Sequence, residues 1–243
     1  MRCWGLTDPG CVRAQNQDSF RINQLDRRTV LAAVCDGMGG ARSGNVASSL
    51  AVDVFMQEIK QSRRSGMNRS DVEELLRRAV ALANDTVYEQ AQQFEDFGGM
   101  GTTLVAAYVT PGCACVVNVG DSRAYHMGGG GIRRITTDHS VVQMMLQRGE
   151  LTVDLARTYP GKNLITRAIG TEPTVEADLF WVELEPDDSL LLCTDGLSNL
   201  VDEQEILFEV VHGVHKEGCC QRLLDIAKNR GAPDNVTSLL ILI

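Results

Sequence analysis

Four apolar runs of buried-strand length in this chain each meet an aspartate at one end. Asp36-Gly37 follows the run 31–35, Gly120-Asp121 follows 116–119, Asp195-Gly196 follows 190–194, and Asp234-Asn235 precedes 236–243. A carboxylate at the mouth of a buried strand is costly unless something compensates it, and several that converge repel one another strongly. A divalent cation is the usual solution. Asp-Gly alone is the commonest short hairpin signal, but a hairpin must lead into another strand. Here Asp36-Gly37 leads through Met38-Gly39-Gly40 into a helical pattern, and Asp195-Gly196 leads through Leu197 and Ser198 toward another. Taken singly, Asp121 reads equally well as a turn and Asp234 as a loop. The four together are the stronger signal.

The rest of the chain surrounds these ends with clustered elements. Runs 30–35, 103–109, 114–119 and 189–193 have the length and apolarity of buried strands. Runs 123–127 and 132–135 flank Gly128-Gly129-Gly130-Gly131, which suits a hairpin; no Lys-Ser/Thr follows it as a phosphate-cradling loop needs. Residues 44–60 place Val46, Leu50, Val54 and Ile59 on a helical stripe with Ser43 as a possible cap. A second helix, 70–94, follows a Ser70-to-Glu73 capping box, and further helices are expected at 140–148, closed by Gly149, at 203–211 and at 221–229. Strands and helices come in groups, with little βαβ alternation, which favours antiparallel sheets with helices outside them. With no repeat or linker to divide it, the chain reads as one domain, 1–243.

Charge excludes one class of partner. With 23 Lys+Arg against 32 Asp+Glu in 243 residues, the formal net charge is −9. Nonspecific nucleic-acid binding needs a cationic surface, so an anionic partner must meet a local positive site or bound metal ions. No run approaches the ~20 apolar residues of a membrane span, and no signal-peptide stretch opens the chain, so the expected location is the cytosol. The eight cysteines include no Cys-x-x-Cys pair and read as reduced thiols, mostly small core residues. None is followed five residues on by the arginine that a cysteine phosphatase requires: after Cys35 that place holds Ala41, and Arg42 comes one residue late. His139, beside the Asp138/Ser140 cap, reads as structural, and His212 and His215 as exposed helix-end residues.

Eight motifs in order resemble the metal-dependent Ser/Thr protein phosphatases of the 2C type, especially their stand-alone bacterial members. They are Thr7-Asp8-Pro9-Gly10 with Arg13 and Asn16-Gln17-Asp18; Asp36-Gly37-Met38-Gly39-Gly40; Gly99-Met100-Gly101-Thr102-Thr103-Leu104; Val119-Gly120-Asp121-Ser122-Arg123; Thr137-Asp138-His139-Ser140; Leu164-Ile165-Thr166-Arg167-Ala168-Ile169-Gly170; Thr194-Asp195-Gly196-Leu197; and Asp234-Asn235-Val236-Thr237. The resemblance implies an α+β fold, a four-layer α-β-β-α sandwich of two antiparallel sheets flanked by helix pairs. It also implies two metal ions at one edge: Asp36 bridging both, the Gly37 carbonyl on the second, Asp195 and Asp234 on the first. Asp18 and Asn235 would act behind these ligands, Asp18 through metal-bound water. Asp121, shared with Asp195, matches the ligand of a third ion.

An all-oxygen shell suits Mn²⁺ or Mg²⁺ rather than zinc. Two such ions ~3.5–4 Å apart can bring a bridging water toward ionisation at neutral pH and aim it at phosphorus. Arg13 would grip the phosphate as a planar guanidinium, its alternative being a surface ion pair with Asp18 or Asp8. Two departures stand out. Gln17 replaces a glutamate found in many relatives, which weakens the second metal site, and Met38 stands where eukaryotic members carry a histidine. Protonation of the leaving alkoxide must then come from elsewhere, with a water near Asp121 as the candidate. Residues 149–162, with Pro160-Gly161, resemble the mobile flap of bacterial relatives, although as plain sequence they are a polar loop with a short helical stretch.

Three functional readings follow. The leading one is hydrolysis of phosphoserine and phosphothreonine in proteins, opposing a bacterial Ser/Thr kinase and its substrates, by a chain with no reason to be other than a monomer. The second is hydrolysis of a small phosphorylated metabolite, and the third a noncatalytic interaction module on the same fold.

Overall fold

The structure, a computed structural model, describes residues 1–40, 43–156, 159–213 and 215–243. Ala41, Arg42 and residues 157–158 of the expected flap lie outside the described residues. Two sheets form, and every strand pair in them is antiparallel. The first contains β1 (Arg2–Asp8), β7 (Arg123–Gly128), β8 (Gly131–Arg134), β10 (Ser189–Cys193) and β11 (Val236–Leu242), in the order β1-β11-β10-β7-β8. The second contains β2 (Asp18–Asp26), β3 (Thr29–Met38), β5 (Leu104–Thr110), β6 (Cys113–Val119) and β9 (Asp178–Glu183), in the order β2-β3-β5-β6-β9, with the short β4 (Gly101–Thr102) paired to the end of β3.

The apolar runs are unbroken because both faces of the central strands are covered. In β3, Val30, Ala32 and Val34 point between the sheets, where they meet Leu190, Leu192, Leu239 and Ile241 of the other sheet. Leu31, Ala33 and Cys35 point outward to α1 (Gly44–Ser62) and α2 (Arg69–Gln93), against Phe55, Ile59 and Leu76. On the far side Leu191, Cys193 and Leu240 meet Ile206 of α6 (Glu203–His212) and Leu223 of α7 (Cys219–Asn229). Three apolar clusters therefore separate four layers, as the α-β-β-α expectation required. The eight cysteines are free thiols, five of them buried.

The helix caps differ from the sequence reading. α2 begins one residue before Ser70: Asn68 Oδ1 accepts from the Asp71 amide at 3.0 Å and Asp71 Oδ2 accepts from the Asn68 amide at 2.9 Å, so the capping box is Asn68/Asp71 rather than Ser70/Glu73. Ser43 precedes α1, but it does not cap it; its hydroxyl turns back to the Gly40 carbonyl at 3.3 Å. β1, β2 and β9, which sequence periodicity did not mark, are edge strands. Shorter helices are α3 (Val141–Gln147), α4 (Val153–Ala156) and the four-residue α5 (Asp195–Ser198).

Candidate metal and active site

Antiparallel pairing gathers the marked strand ends along one edge of the sandwich. Asp18 opens β2 directly opposite Asp36 in the β3 register. Asp121 follows β6, Asp195 follows β10 and opens α5, and Asp234 precedes β11, the neighbour of β10. These five carboxyls feel one another. Burial, followed by Asp18, Asp195, Asp121 and Asp234, holds the Asp36 carboxyl well above the usual carboxylate range. Burial and then Asp234 raise Asp195, while burial, Asp195 and Asp138 push Asp121 up to about 7. Such mutual repulsion in a desolvated recess is the electrostatic condition that a bound cation relieves.

Local packing fixes each carboxylate. The main chain of Asp36 is held at both polar groups: its N–H donates to Thr103 Oγ1 at 2.9 Å, and its carbonyl accepts from Thr102 Oγ1 at 2.8 Å and the Thr103 amide at 2.9 Å. Gly37 lies so close to the carbonyls of Gly44 and Gln17 that a Cβ would collide with both, so α1 packs directly onto the end of β3. Gly196 meets the Asn235 carbonyl in the same way, which brings Asp195 beside Asp234. Asn235 ties down the loop between β1 and β2, accepting from the Gln17 amide at 2.8 Å and donating to the Pro9 and Gln15 carbonyls at 3.0 and 2.9 Å. Its role in the structure is to hold that loop.

Asp18 is clamped between the sheets. Thr194 Oγ1 and Thr237 Oγ1 donate to its Oδ2 at 2.9 and 2.6 Å, Thr7 Oγ1 lies 2.6 Å from Thr237 Oγ1, and Asn16 Nδ2 donates to Thr7 Oγ1 at 2.8 Å. Burial still pushes Asp18 up to about 7, with the two threonine hydroxyls opposing it. Its other oxygen, Oδ1, is buried and has no partner. Sequence reading placed all three threonines in motifs but gave none of them a role.

Arg13 lies on Asp234, with Nη2 2.8 Å from Oδ2, and not on Asp18 or Asp8, which are the two partners weighed from sequence. Asp8 instead pairs with Lys228 Nζ at 3.0 Å. The Arg13 guanidinium is still 55% exposed, which leaves donors open to solvent. Gln17 Nε2 donates to the Gly40 carbonyl at 3.2 Å, and Met38 pairs with Gly101.

A second network braces Asp121. The Gly120 amide donates to His139 Nδ1 at 3.0 Å and the Gly120 carbonyl accepts from the His139 amide at 2.9 Å. That pattern leaves the ring proton on Nε2, which lies 3.1 Å from Asp178 Oδ2, while Arg167 Nη1 lies 2.9 Å from Asp178 Oδ1. Burial lowers the His139 pKa, which favours this neutral ring. Arg123 grips Asp138 through Nε and Nη2 at 3.1 and 2.7 Å. His139 is thus structural, as its sequence context suggested.

Do these residues suit hard cations? Among the described residues no three His, Cys, Asp or Glu side chains stand together as a group ready to hold a metal ion. In this arrangement Asp234 Oδ2 carries Arg13 and Oδ1 accepts the Asn235 amide at 2.9 Å. The donor set is nevertheless all oxygen, burial and neighbouring carboxylates raise Asp36, Asp121 and Asp195, and Asp18 Oδ1 is a buried acceptor without a partner. The residues fit Mn²⁺ or Mg²⁺, with Arg13 as the present counterion of one ligand.

Comparison with known proteins gives the same picture over the whole chain. A family profile described as Protein phosphatase 2C matches residues 12–226. The serine/threonine phosphatase Stp of Listeria monocytogenes is 36% identical over 238 residues, covering 97% of this chain and 93% of that protein. Protein phosphatase PhpP of Streptococcus pneumoniae is 34% identical, covering 97% and 95%. Among solved structures, serine/threonine phosphatase Stp1 from Staphylococcus aureus superposes with a TM-score of 0.93 at 35% identity, covering 99% of this chain and 94% of that one.

Proposed function

The chain belongs to the protein phosphatase 2C family and is a protein-serine/threonine phosphatase, and from that premise we propose how its own residues perform the reaction. Asp36, Asp195, Asp234 and the Gly37 carbonyl would hold two Mn²⁺ or Mg²⁺ ions, and Asp121 with Asp195 would hold a third. When bound, the ions supply Lewis-acid activation of water and positive charge for the phosphoryl oxygens. Asp18 orients water through Oδ1, its other oxygen being fixed by Thr194 and Thr237. Arg13 grips two phosphate oxygens with the parallel donors of its guanidinium. The phosphate passes directly to water, with no phosphoenzyme. The substrates are phosphorylated proteins, and a bacterial Ser/Thr kinase is the opposing activity. The whole chain, 1–243, works as one catalytic unit in the cytoplasm, as a monomer, with 149–162 as a flap.

The observation that carries this reading is that Asp18, Asp36, Asp121 and Asp195, from strand ends of both sheets, are all raised by burial and by neighbouring carboxylates. The test is hydrolysis of a phosphothreonine peptide with and without added Mn²⁺. Wild-type protein should depend on the ion, and Asp36→Asn and Asp195→Asn should each lose nearly all activity. Full activity in chelator, or in either variant, would reject the assignment. Asp121→Asn addresses the leaving group: it should slow phosphopeptides much more than an aryl phosphate, whose leaving group needs no proton, and equal slowing would remove Asp121 from that role.

A further inference from the structure

A cleft of about 610 Å³ opens beside the carboxylate recess, lined by Gln15, Asn16, Asn45, Val46, Asp96 and Phe97. Two of its walls are continuous with the site. Asn16 accepts the Asp18 amide at 3.1 Å, so Gln15 and Asn16 lead straight into Asp18. Asn45 follows Gly44, whose backbone is so near the Gln17 amide and the Gly37 carbonyl that a Cβ would stand 2.8 Å from both. The third wall is the turn of 3-10 helix Glu95–Phe97, steadied by Phe97 against Phe94 with ring centroids 5.7 Å apart.

The lining has a definite chemistry. Val46 and Phe97 give a partly buried apolar floor; Gln15 and Asn45 are exposed amides, which can pair with the backbone of an extended segment. Glu95 and Asp96 are exposed, and among the described residues neither carboxylate has an ion-pair partner. Among the described residues no lysine or arginine lines the cleft.

Resting on the phosphatase reading, the geometry points to this cleft as a specificity subsite for the substrate protein. It takes an extended segment flanking the phosphoserine or phosphothreonine, with an aliphatic stem of Lys or Arg lying on Val46 and Phe97 and its cationic head at Asp96 and Glu95. A long basic side chain suits such a site because its stem buries apolar surface while its charge stays hydrated. Substrates carrying a basic residue within a few positions of the phosphate are therefore preferred to acidic ones.

The experiment compares kcat/KM for phosphothreonine peptides that differ only in Arg or Glu at the flanking positions. Each rate is divided by the same variant's rate on p-nitrophenyl phosphate, which is too small to span into the cleft. Wild-type protein should favour the Arg peptide by about threefold to tenfold at low salt, the range of one or two exposed ion pairs. The preference should shrink as salt rises. Asp96→Lys should abolish or invert it, and Asp96→Asn, run in parallel, should reduce it without altering shape. A normalised ratio near one in wild type, or a ratio indifferent to both substitutions, overturns the subsite while leaving the catalytic reading intact. Failure of wild-type protein to hydrolyse any phosphoester with Mn²⁺ overturns both.

Discussion

At the scale of single residues, the division of labour on Asp18 is the clearest lesson. One oxygen is held by two hydroxyls and the other is buried without a partner, so the side chain is preorganised with its free acceptor aimed by covalent geometry alone. Thr237→Val deletes the 2.6 Å donor and leaves Thr7 Oγ1 with Asn16 alone. Removing a group that orients a metal-site residue typically weakens metal binding about 10–100-fold. Calorimetric Mn²⁺ titration should show a loss of that order for Thr237→Val and near-recovery for Thr237→Ser; unchanged affinity in the valine variant would mean the clamp does not matter. Arg13 is separable from this. Arg13→Ala removes charge-assisted hydrogen bonds worth about 1.5–3 kcal/mol, so kcat/KM on an aryl phosphate should fall roughly 10–100-fold, and Lys should restore little because it cannot bond two oxygens in parallel. Recovery by Lys would reduce the role of Arg13 to that of a point charge.

At the scale of elements, what could be read from the chain follows burial. Central strands such as β3 and β10 are covered on both faces, so their sequences are unbroken apolar runs with an aspartate where the cover stops. The edge strands β1, β2 and β9 are mostly half-buried, and their sequences mix Arg, Asp and Asn with Trp and Phe, which obscures a period of two. The carboxylates were legible for the same reason as the central strands; the clamp formed by Thr7, Thr194 and Thr237 was not, because a threonine in or next to a strand looks like an ordinary β-former. The brace around Asp121 was likewise hidden, since His139 and Gly120 are far apart in sequence and meet only when β6 and the segment before α3 pack. His139→Ala leaves the Gly120 N–H buried without its acceptor, at a cost of about 1–3 kcal/mol. Chemical denaturation should record a loss of that size. A variant as stable as wild type would show that water replaces the ring.

At the scale of the whole molecule, the site opposes the stability of the fold that builds it. Asp18 and Asp121 hold their protons to about 7 when folded but release them near the ordinary aspartate value of 3.8 when unfolded. Between those values the folded chain binds more protons than the unfolded one, so metal-free stability is fully present below about pH 4 as far as these groups are concerned, and is lost as pH rises through 7. Asp36 and Asp195, raised by the same burial and repulsion, add to the effect in the same direction. A cation that binds only the folded state reverses it, because ligand binding stabilises in proportion to the logarithm of its concentration over Kd. Thermal unfolding in chelator should therefore give a Tm that falls between pH 5 and pH 7.5 and a Mn²⁺-induced rise in Tm that grows over the same interval. In Asp36→Asn the fall should be shallower and the Mn²⁺ response smaller, since one charge of the cluster is gone. A metal-free Tm that climbs toward neutral pH would mean that the carboxyls are already compensated within the protein, and that cations are not what the converging strand ends were built to hold.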